Sequence, residues 1–255
     1  MVCKHYYRHA LKSSNYHDGA LQVRETLRFG GMNIKDLDEP DSQWKMQVFE
    51  RFLQILKAPY GDFQAIWNLA NAVNDEAGFR RTIEWLSVHP SANNAIQNRL
   101  RLGVIDLQQL HSLPAETLGY AYSDHLLRNG LNPIQSQMVE DEYDYLIVHL
   151  TEVHDIWHVV INADTSMAGE TKLQAFVAAQ LRTSRFSLAM LAKNLLKTAV
   201  EELDLAEQLM DALTEGWRLG KQAHLLFGVQ WNTLWDIPLI ELQDKWNVLP
   251  NTIAE

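Results

Sequence analysis

Cysteine is almost absent from this chain of 255 residues: Cys3 stands alone. One thiol makes no intrachain disulfide and no cysteine-based zinc cluster, and it suits a reducing compartment. Proline and glycine are sparse, at 7 and 12, and no strand–turn–strand rhythm appears between them. Basic residues are in deficit. Lys and Arg number 22 against 32 Asp and Glu, for a formal charge of −10. Nucleic-acid binding is thereby excluded as the main task, because phosphate contacts need clustered Lys and Arg. An anionic membrane is likewise no general partner for the whole surface, although a local basic patch remains compatible. No run of 18 apolar residues occurs, so no membrane-spanning helix is expected. The first fourteen residues carry Lys4, Arg8 and Lys12. They place His5, Tyr6, Tyr7 and His9 where a secretory signal needs an apolar stretch, which argues against one. A short transit peptide is only weakly matched, and a cytoplasmic chain is the expectation.

What is present is a substantial apolar fraction, 47%, too high for a disordered chain. A length of this size buries about three quarters of the unfolded surface. Apolar residues recur at helical spacing. Val48, Phe52, Ile55 and Leu56 form one stripe before Pro59, and Ile66, Leu69, Ala70 and Val73 another before Gly78. Phe79, Ile83 and Leu86 follow, with Pro90 as the stop. Two small helices are expected around Gly103, one with Ala95, Ile96 and Leu100, one with Leu107 and Leu110. Thr117–His125 leads a further helix, closed by the breaker Asn129–Pro133. A long helix is predicted over Asp141–Asn162, then a turn over Ala163–Gly169. A helix with Leu173, Phe176, Val177 and Leu181 comes next, interrupted around Thr183–Arg185. Leu188 to Ala206 continues it, and Leu209, Leu213 and Trp217 follow. Gly216 and Gly220 are expected to break the chain before a Trp-rich end. The fold class expected is all-α, a single helical domain over residues 1–255.

The candidate chemistry is His154-Asp155-Ile156-Trp157-His158. Histidines at i and i+4 share a helix face, the spacing by which a helix offers two imidazoles to one metal ion. Asp155 points about 100° away from His154, as an edge ligand or as a partner fixing an imidazole. Glu170 follows His158 after eleven intervening residues, and the turn between could fold it back against the pair. Imidazole plus carboxylate suits zinc, and also iron or manganese. The plainer alternatives stay open. Such a pair arises by chance in a chain with 10 histidines; His5 and His9 repeat the spacing and read as a solvated face. Glu170 alone is a favourable acid in a first helical turn.

A metalloprotease is rejected, because its general base is a Glu beside the first His, and Asp155 is one methylene shorter. A metal-dependent phosphohydrolase pairs His-Asp with a further His and Asp, for which His125 and Asp204 can be nominated. In the tail, Trp217, Trp231, Trp235 and Trp246 either pack a core or dimer interface, or line an apolar groove or membrane-facing surface. Gly216 to Lys221 is one residue short of a phosphate loop and follows a helix.

His154-Asp155-x-x-His158, eleven residues, then Glu170 resembles the H-D-x-x-H-x11-E signature of the coenzyme Q (ubiquinone) biosynthesis protein four family. Agreement continues in Leu113-Pro114-x-x-Thr117-Leu118-Gly119-x-Ala121-Tyr122, in Gly216-x-x-x-Gly220-Lys221, in Trp235, and in Pro238-Leu239-x-x-Leu242. It covers roughly residues 110–248. The resemblance implies a helical fold of mostly antiparallel helices and a peripheral role at membranes. It implies work on the head group of a polyprenylated benzoquinone precursor within a multiprotein assembly. The activity implied is removal of the C1 carboxylate of a polyprenylated hydroxybenzoate, in some accounts with C1 hydroxylation. Carried over, His154, Asp155, His158 and Glu170 are the metal ligands and the catalytic set, for zinc first, with iron, manganese or magnesium also suited.

A prenyl tail needs an apolar lipid-binding channel, at about 0.8 kcal/mol per buried CH2. Helix-lined surface from Leu173–Leu203 and the Trp-rich tail could build it. A non-catalytic prenyl-lipid-binding scaffold for other quinone-biosynthesis proteins is the alternative. A homodimer is expected from the apolar helices and the tail.

Overall fold

The computed structural model describes residues 40–59, 62–74, 76–133, 138–182 and 184–249. Cys3, the His5/His9 pair, the basic amino-terminal segment and Thr183 lie outside them. The chain falls into two compact units, Met1–Phe49 and Glu50–Glu255, and the site belongs to the second. Among the described residues the secondary structure is helical, with no β-strand. The helices are α1 (Pro40–Lys57), α2 (Phe63–Val73), α3 (Glu76–Ser87), α4 (Pro90–Asn98), α5 (Leu107–His111), α6 (Leu118–Arg128), α7 (Glu142–Val160), α8 (Met167–Leu181), α9 (Arg185–Glu201), α10 (Ala206–Gln222) and α11 (Leu239–Lys245). The all-α expectation holds.

Helices α7 and α8 are the centre. Tyr145, Leu146, Val148, Val153, Ile156, Trp157, Val159 and Val160 are buried on α7, and Leu173, Ala175, Phe176, Ala178, Ala179 and Leu181 on α8. A helix apolar on nearly every side is one packed on every side. Both start on a built cap. Asp141 Oδ1 accepts from the amides of Tyr143 and Asp144, at 2.9 and 2.8 Å. The Ser166 hydroxyl accepts from Gly169 N at 3.2 Å. Each cap satisfies donors that a helix leaves unpaired at its start.

Three expectations are corrected. Gly216 and Gly220 break nothing: both lie inside α10, where that helix crosses α8. A Cβ on Gly216 would fall on the Lys172 carbonyl oxygen, and one on Gly220 would lie 2.6 Å from that of Phe176. The absent side chain lets two backbones touch, a use of glycine that sequence periodicity does not distinguish from a break. The helix with Phe79, Ile83 and Leu86 does end ahead of Pro90, at Ser87, and Pro90 also opens α4 as its first residue, a place where its missing N–H costs nothing. Met167–Gly169 belong to α8 rather than to the preceding turn. The stripe from Leu188 to Ala206 divides at Glu202, where a short 3-10 turn, Leu203–Leu205, separates α9 from α10.

The carboxy-terminal segment is fastened to the start of α6. Leu118 N donates to Ile237 O at 2.9 Å, Gly119 N to Trp235 O at 2.8 Å, and Leu239 N to Glu116 O at 2.8 Å. Trp231 and Trp246 are buried with ring centroids 5.1 Å apart, and Trp235 stacks on Tyr122 at 5.3 Å. Three of the four tail tryptophans thus pack inside, while Trp217 is 47% exposed.

Candidate metal centre

Helix α7 carries His154 and His158 one turn apart, and the connection Ile161–Ser166 folds α8 back so that Glu170, in its first turn, meets them. Gly169 makes the fold-back tight: a Cβ there would fall on the Asp164 carbonyl oxygen. His158 Nε2 lies 3.2 Å from His154 Nε2 and 3.3 Å from Glu170 Oε1. His154 Nε2 is 3.9 Å from Glu170 Oε2. One ligand atom from each of the three residues falls within 4.8 Å of the others. Ligands about 2.1 Å from one tetrahedral ion lie about 3.4 Å apart, so the spacing fits a cation held between them.

The donor chemistry fits as well. His158 Nδ1 lies 3.2 Å from the Ala163 carbonyl oxygen. A carbonyl only accepts, so Nδ1 carries a proton and Nε2 faces the group, donating to Glu170 while protonated and offering its lone pair to a cation once that proton leaves. This backing of an imidazole by a backbone carbonyl is the usual support of a metal-binding histidine. His158 is 1% exposed, whereas His154 and Glu170 are 32% and 26% exposed. The site therefore has one inner anchor and an open side.

The protonation preferences follow from these contacts. Burial pushes His158 down, but the hydrogen bond and charge of Glu170 outweigh it and leave its pKa raised. His154 is lowered by burial and by neighbouring His158. Burial pushes the Glu170 carboxyl up, but the His158 hydrogen bond, both imidazoles and Lys193 bring it below its ordinary value. Glu170 is thus an anion at neutral pH, ready to bind a cation.

Asp155 brings no oxygen into the three-residue group. It stands beside it as a charge felt by Tyr122, His125, His154 and His158. Asp204 is exposed in the turn after α9 and joins no such group among the described residues. His125 does reach the site, although not in the manner of the phosphohydrolase pattern. Its ring stacks on that of His158, centroids 5.6 Å apart and planes at 23°. Burial and His158 together lower its pKa.

Two contributors escape sequence reasoning. The Ala163 carbonyl is backbone, and no residue type announces it. Lys193 is buried on α9, with its charge felt at Glu170, and nothing in its neighbours marks it. A cavity of about 400 Å³ adjoins the centre, lined among others by Tyr120, Asp124, His125, Arg128, His158 and Asp164.

The sequence profile of the family described as Coenzyme Q (ubiquinone) biosynthesis protein Coq4 matches residues 41–252. The chain is 30% identical over 156 residues to the mitochondrial ubiquinone biosynthesis protein COQ4 homolog of Danio rerio, covering 59% of this chain and 56% of that one. It is 28% identical over 190 residues to that of Drosophila pseudoobscura pseudoobscura, covering 72% and 65%. The matches thus span less than two thirds of these relatives' length. A crystal structure of a proposed ubiquinone biosynthesis protein from Nostoc punctiforme superposes with a TM-score of 0.72. It shares 24% identity and covers 81% of this chain and 99% of that one, so it shares the fold.

Proposed function

The chain belongs to the Coenzyme Q (ubiquinone) biosynthesis protein Coq4 family, and from that premise we propose that it works in ubiquinone-type prenylquinone biosynthesis as a metal-dependent carboxy-lyase. The substrate in this reading is a polyprenylated hydroxybenzoate, and the reaction removes its C1 carboxylate. The observation that carries it is the meeting of His154 Nε2, His158 Nε2 and the Glu170 carboxylate at one point, with His158 fixed from behind by Ala163.

In the reaction the C1–carboxylate bond breaks, CO2 leaves, and the electron pair left on the ring carbon is taken up by a proton. A divalent cation, when bound, supplies a Lewis acid for the substrate oxygens, an effect worth several kcal/mol. His154, His158 and Glu170 would hold it. The protein's own part is to keep both Nε2 lone pairs and one carboxylate aimed at the same point. The half-exposed His154 and Glu170 leave a side by which an aromatic acid reaches that point. Zinc is the first candidate on its ligands, with iron, manganese and magnesium behind it; an oxidative variant that also hydroxylates C1 needs a redox metal.

The prenyl tail, the contact with membranes and the docking of other quinone-biosynthesis proteins are assigned to outward apolar residues of α9 and α10. Leu188, Leu196, Val200, Met210 and Trp217 are all exposed there. A homodimer, peripherally attached on the cytoplasmic side, completes the reading.

The test is release of labelled CO2 from a carboxyl-labelled prenyl-hydroxybenzoate by zinc-, iron- or manganese-loaded protein. His158→Ala is the control. Release that requires both metal and His158 supports the enzyme. A folded, metal-loaded, lipid-binding protein that releases none is a scaffold, and the lyase reading fails.

A further inference from the structure

The inner face of α6 is an apolar stripe. Leu118, Tyr122 and Leu126 are buried on it against the core. His125 sits on the same stripe, 7% exposed, where a packing residue is expected. Its Nε2 is buried with no hydrogen-bond partner among the described residues. A buried nitrogen without a protein partner costs roughly 1–3 kcal/mol, so no hydrogen bond from Nε2 to the described residues explains the ring's place. What the ring does make is a near-parallel, offset stack with His158, centroids 5.6 Å apart.

His158 needs such a contact. The hydrogen bond from Nδ1 to Ala163 O aims Nε2, but one contact at one edge leaves the ring room to tilt about its Cβ–Cγ bond. A flat ring laid against its face removes that tilt. The carboxyl end of α6 is tied to the same turn that supplies Ala163. Asn129 Nδ2 donates to His125 O at 2.7 Å, and Thr165 Oγ1 to Asn129 Oδ1 at 3.1 Å. The backing ring and the backing carbonyl therefore move as one piece. The cavity next to both rings is the space into which His158 would swing if the ring were lost.

We propose that His125 is a positioning residue for the metal centre, acting through its aromatic face on His158 and through neither of its nitrogens. The inference rests on the reading of His154, His158 and Glu170 as metal ligands, and it adds a fourth side chain that touches neither metal nor substrate. An imidazole is here a flat plate of the right thickness. A phenyl ring fills the same place without the buried unpaired nitrogen.

The test uses the full chain, with Zn2+ titrated against a competing chelator and the visible spectrum of the Co2+-loaded protein as a report of ligand geometry. Wild type is compared with His125→Phe, His125→Leu and His125→Ala. His125→Phe is expected to bind zinc within about twofold of wild type, and His125→Leu and His125→Ala more weakly by about tenfold or more, the scale of losing a residue that orients a ligand. The Co2+ spectrum of His125→Phe should superimpose on that of wild type, and that of His125→Leu should shift.

His125→Leu is close in volume and carries the test should His125→Ala fail to fold. The proposal is overturned if His125→Phe loses as much affinity as His125→Leu, because a nitrogen then acts. It is equally overturned if His125→Leu binds as wild type does, because the plane is then irrelevant. In both cases wild type still binds zinc and the metal-site reading stands. A folded wild type that binds no metal overturns both together.

Discussion

His158 Nδ1 faces the Ala163 carbonyl oxygen, five residues along the chain and past the end of α7, at 3.2 Å. The contact joins the last turn of one central helix to the connection that starts the next. It keeps a proton on Nδ1 and sends Nε2 toward His154 and Glu170. The centre is therefore a product of the α7–α8 connection as much as of the histidine spacing.

Glu170→Gln tests the connection's anion. The amide keeps the shape of the side chain but removes the charge. Zinc affinity by chelator competition should fall by about tenfold or more. In wild type, zinc at about 100 times its dissociation constant should add about 2.7 kcal/mol to stability in urea titrations. A tenfold weaker Glu170→Gln should keep only about 1.4 kcal/mol of that gain at the same zinc concentration. An equal gain in the variant would remove Glu170 from the ligand set.

The α8–α10 crossing depends on missing side chains. Alanine is ordinarily favoured over glycine in a helix by about 1 kcal/mol. At Gly216 the new methyl would fall on the Lys172 carbonyl oxygen, and overpacking costs about 1–3 kcal/mol. Gly216→Ala is expected to lower the urea midpoint, and a raised midpoint would show that the helices separate at no cost.

Gln180 closes the same region with two buried hydrogen bonds, Nε2 to Gly220 O at 3.0 Å and Oε1 from Leu226 N at 2.8 Å. Gln180→Leu strands both backbone groups, at roughly 1–3 kcal/mol each. The exposed pair of Arg80 and Glu76 should behave differently. Arg80→Ala is expected to change stability by less than about 0.5 kcal/mol, as surface substitutions do. Denaturation of the two variants side by side separates the effects.

His149 sets a pH dependence. Its Nε2 accepts from Gly228 N at 3.2 Å and Nδ1 faces the Tyr145 hydroxyl at 3.3 Å. Burial pushes its pKa down to about 4, against the opposing charge of Glu152. The unfolded chain, with an ordinary value of about 6.5, binds this proton first. Stability then rises with pH across the window from about 4 to 6.5 and is lost as pH falls through it, by up to about 3 kcal/mol. His149→Gln should flatten that part of the urea-midpoint profile between pH 7 and 5. An unchanged slope would mean that other groups carry it.

Much of this is legible in the sequence. The 3.6-residue stripes at Leu69 and Val73, at Ile83 and Leu86 and at Leu118, Tyr122 and Leu126 gave their helices. The i, i+4 spacing put His154 and His158 on one face, because side-chain spacing on a helix is fixed geometry, whereas Glu170 joins them through the turn between α7 and α8. What failed did so for tertiary reasons. Gly216 and Gly220 read as a break because their role is visible only with α8 in place. His125 drew notice as a member of a motif it does not form, and its stacking on His158 depends on how α6 lies against α7. Ala163 acts by a carbonyl that every residue possesses.

The account stands on one cation held by three side chains. A crystal of the zinc-loaded protein, with anomalous scattering recorded at the zinc edge, tests that directly. The prediction is a single strong peak about 2.1 Å from His154 Nε2, His158 Nε2 and a Glu170 oxygen. A strong peak bound elsewhere, or none at this position with zinc in excess, would contradict it.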